Sequence, residues 1–237
     1  MVKHIHKAIK KHLSAASPDL QRRHLELEQQ QSAGGSLLRQ IVLGGQDGLV
    51  NVLGILLGIA AGTGETALVI LAGLAATVAE SVSMAAVAYT SARASQDHYR
   101  AQKEQEMREM DEIPDVERKE IELIYYKKGF RGKALQHIVK QITSDKELWL
   151  DTMMREELGL YESEFVDPLR EAIVVGVASV IGSLIPLIPF FFMPVAPAMV
   201  ASVAVSLAVL FIGGSIKARI TTGIWWKSGA EMALIGG

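Results

Sequence analysis

Leu37–Ala61, LLRQIVLGGQDGLVNVLGILLGIAA, reads as a membrane helix with something unusual inside it. It is long enough to cross a bilayer, which takes roughly 20 mostly apolar residues at about 1.5 Å each. Gln46, Asp47 and Asn51 nevertheless stand near its middle. A carboxylate at that depth costs roughly 2.5–3.5 kcal/mol on insertion scales, so a partner or a task keeps it there. Asp47 and Asn51 are one helical turn apart and share a face. Either a neighbouring helix neutralises Asp47 and it only packs, or it belongs to an ion or proton pathway, and the second reading is preferred.

Next comes Gly62-Thr63-Gly64-Glu65, a short turn, and then Thr66–Tyr89, TALVILAGLAATVAESVSMAAVAY. This second apolar stretch carries Glu80, one turn before Met84. Two antiparallel helices joined by so short a loop are neighbours. Asp47 lies about 15 residues before the turn and Glu80 about 15 after it, so equal rise per residue sets them at similar depth. Asp47, Glu80 and Met84 are thus expected together in the bilayer interior. Gly44, Gly48, Gly54, Gly58 and Gly62 recur mostly four apart, a spacing that lets helix backbones approach closely in lipid, within one chain or across a homodimer.

The rest of the chain separates charge from apolar residues. Hydrophobic residues make up 49% and charged residues 21% of 237, and the mean hydropathy of +0.24 excludes an ordinary soluble protein. The net charge of −2 gives no basic field to attract nucleic acid. No cysteine is present, which excludes disulfides, zinc–thiolate sites and cysteine nucleophiles. No HExxH, GxSxG or phosphate-loop pattern occurs, so an enzyme is not expected and no resident cofactor is implied.

Residues 1–36 form a polar tail, read as an amphipathic surface helix broken at Ser32-Ala33-Gly34-Gly35, with no signal peptide. Its His4, His6, His12 and His24 show no firm metal-ligand spacing. Residues 90–170 are dense in charge and read as a helical insert, with helices near 92–112, 115–129, 131–142 and 145–160 and breaks at Pro114, Gly129 and Gly159. A third apolar segment, about Ala172–Met193, contains Gly182, Pro186 and Pro189 and is expected to be irregular in its second half. A fourth runs from about Ala198 to Ile216, before Lys217 and Arg219, and Trp225 and Trp226 sit beside Lys227 like an interfacial belt. A fifth opens with AEMALIGG, too short to span by Gly237. The expected fold is an all-α membrane protein: a multi-span helical bundle, four full spans plus a partial fifth, with a helical cytoplasmic domain inserted between helices two and three. If the spans alternate, all 24 Lys and Arg fall on one side, and the positive-inside rule makes that side cytoplasmic.

Within the insert, Glu106 and Glu109 are three apart, as are Glu117 and Glu120, so each pair shares a helical face. Met153, Met154 and Glu157 lie within about one turn. Clustered carboxylates attract divalent cations, and thioethers favour a transition metal, ferrous iron or manganese, over the hard ions. Against this, Lys103, Arg108, Arg118 and Lys119 interleave with the acids as on a solvated helix, and Met153 and Met154 suit a core equally well.

GGQDGLVNVLGILLGIAAG and AGLAATVAESVSMAAVAY resemble the first two helices of the vacuolar iron transporter family (the CCC1/VIT group), and WWKSGAEMALIGG resembles the start of its fifth. The resemblance covers roughly residues 37–237. It implies a dimeric five-helix membrane bundle with a helical cytoplasmic metal-binding domain, exporting ferrous iron from the cytosol in exchange for protons. On the matching motifs it implies Asp47 and Met84 in the transport pathway. It also implies Glu106, Glu109, Glu117, Glu120, Met153, Met154 and Glu157 as metal ligands. One departure stands out: many members read GEFVS or GEYVS after SMA, whereas Val87-Ala88-Tyr89-Thr90-Ser91 stands here, with Ala88 at the glutamate position. Glu80 is the candidate substitute carboxylate. The expected partners are the lipid bilayer, divalent transition metal ions and a second copy of the chain, in a vacuolar or plasma membrane. Manganese or mixed Fe²⁺/Mn²⁺ transport is the nearest alternative, and a membrane-tethered metal store or sensor the alternative of another class.

Overall fold

The computed structural model describes residues 18–162, 167–220 and 223–236. His4, His6 and His12 lie outside them, as do the side-chain surroundings of His24. The described residues are helical, with no strand among them. Nine α-helices follow in order among these residues: α1 Pro18–Thr63, α2 Thr66–Glu112, α3 Pro114–Lys127, α4 Gly132–Thr143, α5 Lys146–Thr152, α6 Pro168–Leu184, α7 Ile188–Phe192, α8 Val195–Ile220 and α9 Trp225–Gly236. A π-helical turn, Met153–Glu157, follows α5.

Three stretches of the described residues are long and apolar enough to cross a membrane: Leu37–Thr63, the apolar part of Thr66–Glu112, and Val195–Arg219. The chain divides into two compact units, residues 1–85 with 173–237, and residues 86–172.

In the first unit, α1 and α2 meet at a turn whose Gly64 has φ +67°, a left-handed conformation that a side chain would strain. Val52, Leu56, Ala60, Val69, Leu187, Phe190 and Ala198 form its apolar core. Leu71, Val78 and Val82 stay about two-thirds exposed along one face of α2, and Val200 similarly on α8. Such a surface is wrong for water and right for hydrocarbon. Close approach of α1 to α6 depends on glycine. A Cβ at Gly44 would meet the Val175 carbonyl oxygen at 2.4 Å, and one at Gly182 would meet that of Gly45 at 2.1 Å. Gly54, Gly58 and Gly62 face open space.

The second unit packs α3, α4 and α5 on the end of α2 around Met110, Ile121, Ile142, Trp149 and Met153. Pro114 opens α3, where its missing N–H costs nothing. The Asp145 carboxylate caps α5 by accepting from the N–H groups of Glu147 and Leu148, at 3.0 and 3.2 Å.

The local expectations meet the structure at four places. The helix runs unbroken through Ser32-Ala33-Gly34-Gly35, where a break was expected. Each glycine costs only about 1 kcal/mol against alanine, and a long helix on both sides absorbs it. The helix expected near 92–112 is not separate but the continuation of α2, since Thr90, Ser91 and Ala92 contain nothing that can stop it. The helix expected over 145–160 gives way at Met153 to the π turn. The third apolar segment does break where Pro186 and Pro189 withhold N–H groups: α6 ends at Leu184 and only α7 resumes.

Candidate ion pathway and acidic cluster

Two sets of carboxylates carry the chemistry, one in each unit. In the membrane unit, α1 presents Asp47 and Asn51 one turn apart and α2 presents Glu80. The Asn51 amide donates to Glu80 Oε1 at 3.1 Å, across 29 residues of sequence. The Asp47 carboxyl lies close enough to Glu80 to share a hydrogen bond with it. The two acids equidistant from the turn therefore meet. Met84 stands four residues after Glu80, one turn along the same α2 face, half-buried. Ala88 is one further turn on, and Glu80 is the carboxylate that reaches Asp47.

The first unit also holds a polar row that sequence reasoning missed. Ser179 and Ser183 on α6, and Ser202 and Ser206 on α8, are fully buried, with Ser81 and Thr77 nearly so. Ser81 Oγ and Ser179 Oγ are 3.5 Å apart, and Ser202 donates to the Pro186 carbonyl at 2.6 Å. The available signal was the i, i+4 spacing of serines on two otherwise apolar stretches.

In the insert, Glu106 on α2 and Glu117 on α3 are 4% and 2% exposed, although both are acids. The Oε2 atom of each is buried with no hydrogen-bond partner. Burial first, then the negative charges of Glu157, Glu109 and Glu120, pushes the Glu106 carboxyl up to about 7. Burial, followed by Glu120, Glu106, Glu109 and Glu157, does the same for Glu117, also to about 7. Glu157 is raised as well, by burial and then by Glu120 and Glu109. The five glutamates marked in the sequence thus share one electrostatic field. Met153 and Met154, at 0% and 2% exposure, are buried on the π turn that also carries Glu157. Met153 is part of the apolar core, so it packs whatever else it does.

Of the interleaved cations, Arg118 pairs with Asp115 at 3.0 Å, and Lys128, outside that set, pairs with Glu156. No salt bridge among the described residues reaches the inner acids. Among the described residues no three His, Asp or Glu side chains already close on one metal-sized point. Glu106 and Glu117 thus each keep a buried oxygen without a partner beside like-charged neighbours, an arrangement that disfavours the charged form of both.

Apolar helices long enough to span a membrane, with acids in contact between two of them, and an acid-rich helical unit in the same chain define an integral membrane protein, helical throughout the described residues. The chain belongs to the VIT family, whose model matches residues 38–237. It is 36% identical to vacuolar iron transporter 2 of Oryza sativa subsp. japonica, over 85% of this chain and 82% of that one. To vacuolar iron transporter 1 of Tulipa gesneriana it is 32% identical, over 94% and 91%. To protein CCC1 of Saccharomyces cerevisiae it is 27% identical, over 87% and 67%.

Proposed function

We propose that the chain is a proton-coupled carrier that moves ferrous iron out of the cytosol, into a vacuole or out of the cell, with the 86–172 unit on the cytoplasmic side. The observation that carries this reading is the contact of Asn51, Glu80 and Asp47 inside two apolar helices. Acids are placed there at a cost of several kcal/mol, and the relatives named for iron transport supply the cargo.

The insert glutamates, with Met154 and Met153, collect the ion. A divalent cation displaces the protons that Glu106 and Glu117 hold below about pH 7 and takes over from them the neutralisation of the cluster. In the membrane, Asp47 and Glu80 replace part of the ion's water shell, and the Met84 thioether favours a softer ion over magnesium or calcium. Protons arriving from the acidic side compete for the same carboxylate lone pairs and release the metal, which couples the two flows. Gly54, Gly58 and Gly62, open on the α1 surface, suit a homodimer seam.

The test is Fe²⁺ flux into proteoliposomes, with and without a pH gradient. Asp47→Ala is expected to reduce flux to background while the protein stays folded by size exclusion and circular dichroism. Wild-type-like flux in that variant would sink the assignment. Competition by Mn²⁺ separates the manganese alternative. A tethered metal store predicts no flux in the wild-type protein either.

A further inference from the structure

The insert is acid-rich: residues 86–172 hold 19 Asp and Glu against 14 Lys and Arg. One stretch departs from this. Residues 123–144 contain no acid at all, yet carry Lys127, Lys128, Arg131, Lys133 and Lys140. Elsewhere in the unit Arg93, Arg118, Lys146 and Arg155 each pair with an acid. Of the five cations in the stretch, only Lys128 does so among the described residues, with Glu156. Lys127, Arg131, Lys133 and Lys140 are all exposed.

The turn between α3 and α4 gathers three of these cations around aromatic rings. Gly129 and Gly132 have φ of +103° and +53°, left-handed values that a side chain resists, and so permit its tight course. The Arg131 guanidinium donates to the carbonyls of Tyr126 and Phe130, the latter at 2.7 Å. It also lies 3.5 Å from the centre of the Tyr126 ring. The Tyr125 and Phe130 rings stand 6.0 Å apart. Even so, Tyr126 is 48% exposed and Phe130 40%, with Lys127 and Lys133 exposed beside them. Helix α4 continues this surface, burying Leu135 and Ile142 while Lys133, Gln136, His137 and Lys140 stay exposed. Exposed rings among unpaired cations suit the boundary between lipid headgroups and acyl chains. There the cations meet phosphate and the apolar body of each ring leaves water.

We propose that residues 126–140 form a docking surface for anionic lipid headgroups. Lys127, Arg131, Lys133 and Lys140 meet the negative charge, and Tyr126 and Phe130 enter the boundary beneath it. Lipid is the occupant because cations and exposed rings coincide here in a chain that a bilayer always accompanies. A nucleic acid would instead meet the acids that surround the patch. The leaflet facing the cytoplasm is the anionic one, so the surface suits the side proposed for the insert. The inference rests neither on that orientation nor on iron transport, since the test below offers anionic lipid on both faces.

Because the chain has no cysteine, a single label can report on this surface. Ala134→Cys, at an exposed position beside Lys133, is labelled with an environment-sensitive fluorophore in the full chain, held in nanodiscs. Discs of phosphatidylcholine with about 30% phosphatidylserine should shift its emission to the blue relative to pure phosphatidylcholine. Salt at about 0.5 M should reverse the shift. Adding Lys127→Gln and Lys133→Gln should cut the blue-shifted fraction at least fivefold. Both lysines are exposed and unpaired among the described residues, so the melting temperature should stay unchanged. No shift on anionic lipid, an equal shift on neutral lipid, or a shift indifferent to the two substitutions would overturn the surface. A shift that followed the protein-to-disc ratio at fixed lipid composition would assign the patch to a second copy of the chain, and would overturn it too.

Discussion

Glu80 and Glu106 ride on one helix, α2, yet meet opposite surroundings. Glu80, inside the apolar stretch, has the Asn51 amide as a donor and Asp47 beside it. Glu106, in a unit rich in charge, is buried with a bare oxygen among like-charged neighbours. Hydrocarbon forces a polar group to bring its partner with it. A domain built of charged helices could have left the same acid at its surface, so burying it with one oxygen bare costs desolvation that nothing in the fold returns. In the proposed mechanism the difference separates two jobs: the membrane pair is finished as folded, and the insert cluster is completed by its cation.

The sharpest way to break that division is to compare what each set does to transport. Asp47→Ala should remove nearly all flux at any Fe²⁺ concentration. The double variant Glu106→Gln/Glu117→Gln should keep most of the maximal rate and raise the half-saturating concentration about tenfold or more, the signature of lost capture rather than lost passage. Initial rates over a range of Fe²⁺ concentrations decide it. Equal loss of maximal rate in both variants would mean that the two sets do not divide the work.

Next in size is a pH effect confined to the insert. Glu106 and Glu117 titrate near 7 in the folded chain, against 4.5 for an ordinary glutamate in an unfolded one. The folded chain therefore holds more protons than the unfolded one between these values. The stability these groups contribute is fully present below pH 4.5 and is lost as pH rises through about 7. Each pH unit by which a carboxyl is raised corresponds to about 1.4 kcal/mol, so a loss of a few kcal/mol is expected over that window. Metal-free protein should melt at progressively lower temperature from pH 4.5 to 7.5, and Mn²⁺ should reverse the trend at the upper end. In Glu106→Gln/Glu117→Gln most of the slope should vanish. A slope unchanged in that variant would assign it to other groups.

A packing test in the membrane unit follows. Gly182→Ala would force a methyl to within 2.1 Å of a backbone carbonyl oxygen, and such overpacking costs about 1–3 kcal/mol. Gly58→Ala meets nothing within 4 Å and should leave the melting temperature of the detergent-solubilised monomer unchanged. If Gly182→Ala were equally silent, the close approach of α1 to α6 would be wrong.

Helix period alone made the depth of the membrane acids legible. A short turn, read as Gly62–Glu65, and a fixed rise per residue leave Asp47 and Glu80 little choice of depth, and the same arithmetic put Asn51 on the face of Asp47. The pairing of Asn51 with Glu80 needed the rotation of one helix against the other, which no one-dimensional count supplies. In the insert, spacing grouped Glu106 with Glu109 and Glu117 with Glu120. It could not show that α3 turns Glu117 back towards Glu106, nor that Arg118, one residue later, points away to Asp115. The continuity of α2 through Glu112 was hidden by composition, because charge density changes at Tyr89 while nothing there breaks a helix. The serine row escaped because serine is ordinary in apolar helices, and only burial without a partner distinguishes Ser183 and Ser206 from the rest.

The smallest expected effect tests whether the outer charges of the insert matter at all. Lys128 pairs with Glu156, whose carboxylate pushes the ammonium group upward, and stands 5.1 Å from the centre of the Tyr125 ring. Both charged side chains are more than a third exposed. Exposed pairs of this kind contribute roughly 0–1 kcal/mol, because water screens the attraction and two long side chains lose freedom. Lys128→Met should therefore shift the melting temperature by no more than about a degree or two and leave the half-saturating Fe²⁺ concentration unchanged. Glu156 sits beside Glu157 on the π turn, so the substitution also frees one negative charge near the inner cluster without touching a residue of it. If the half-saturating concentration fell markedly, the inner and outer acids would be acting as one electrostatic field. The cluster would then extend to the surface of the insert, and its burial would no longer set it apart.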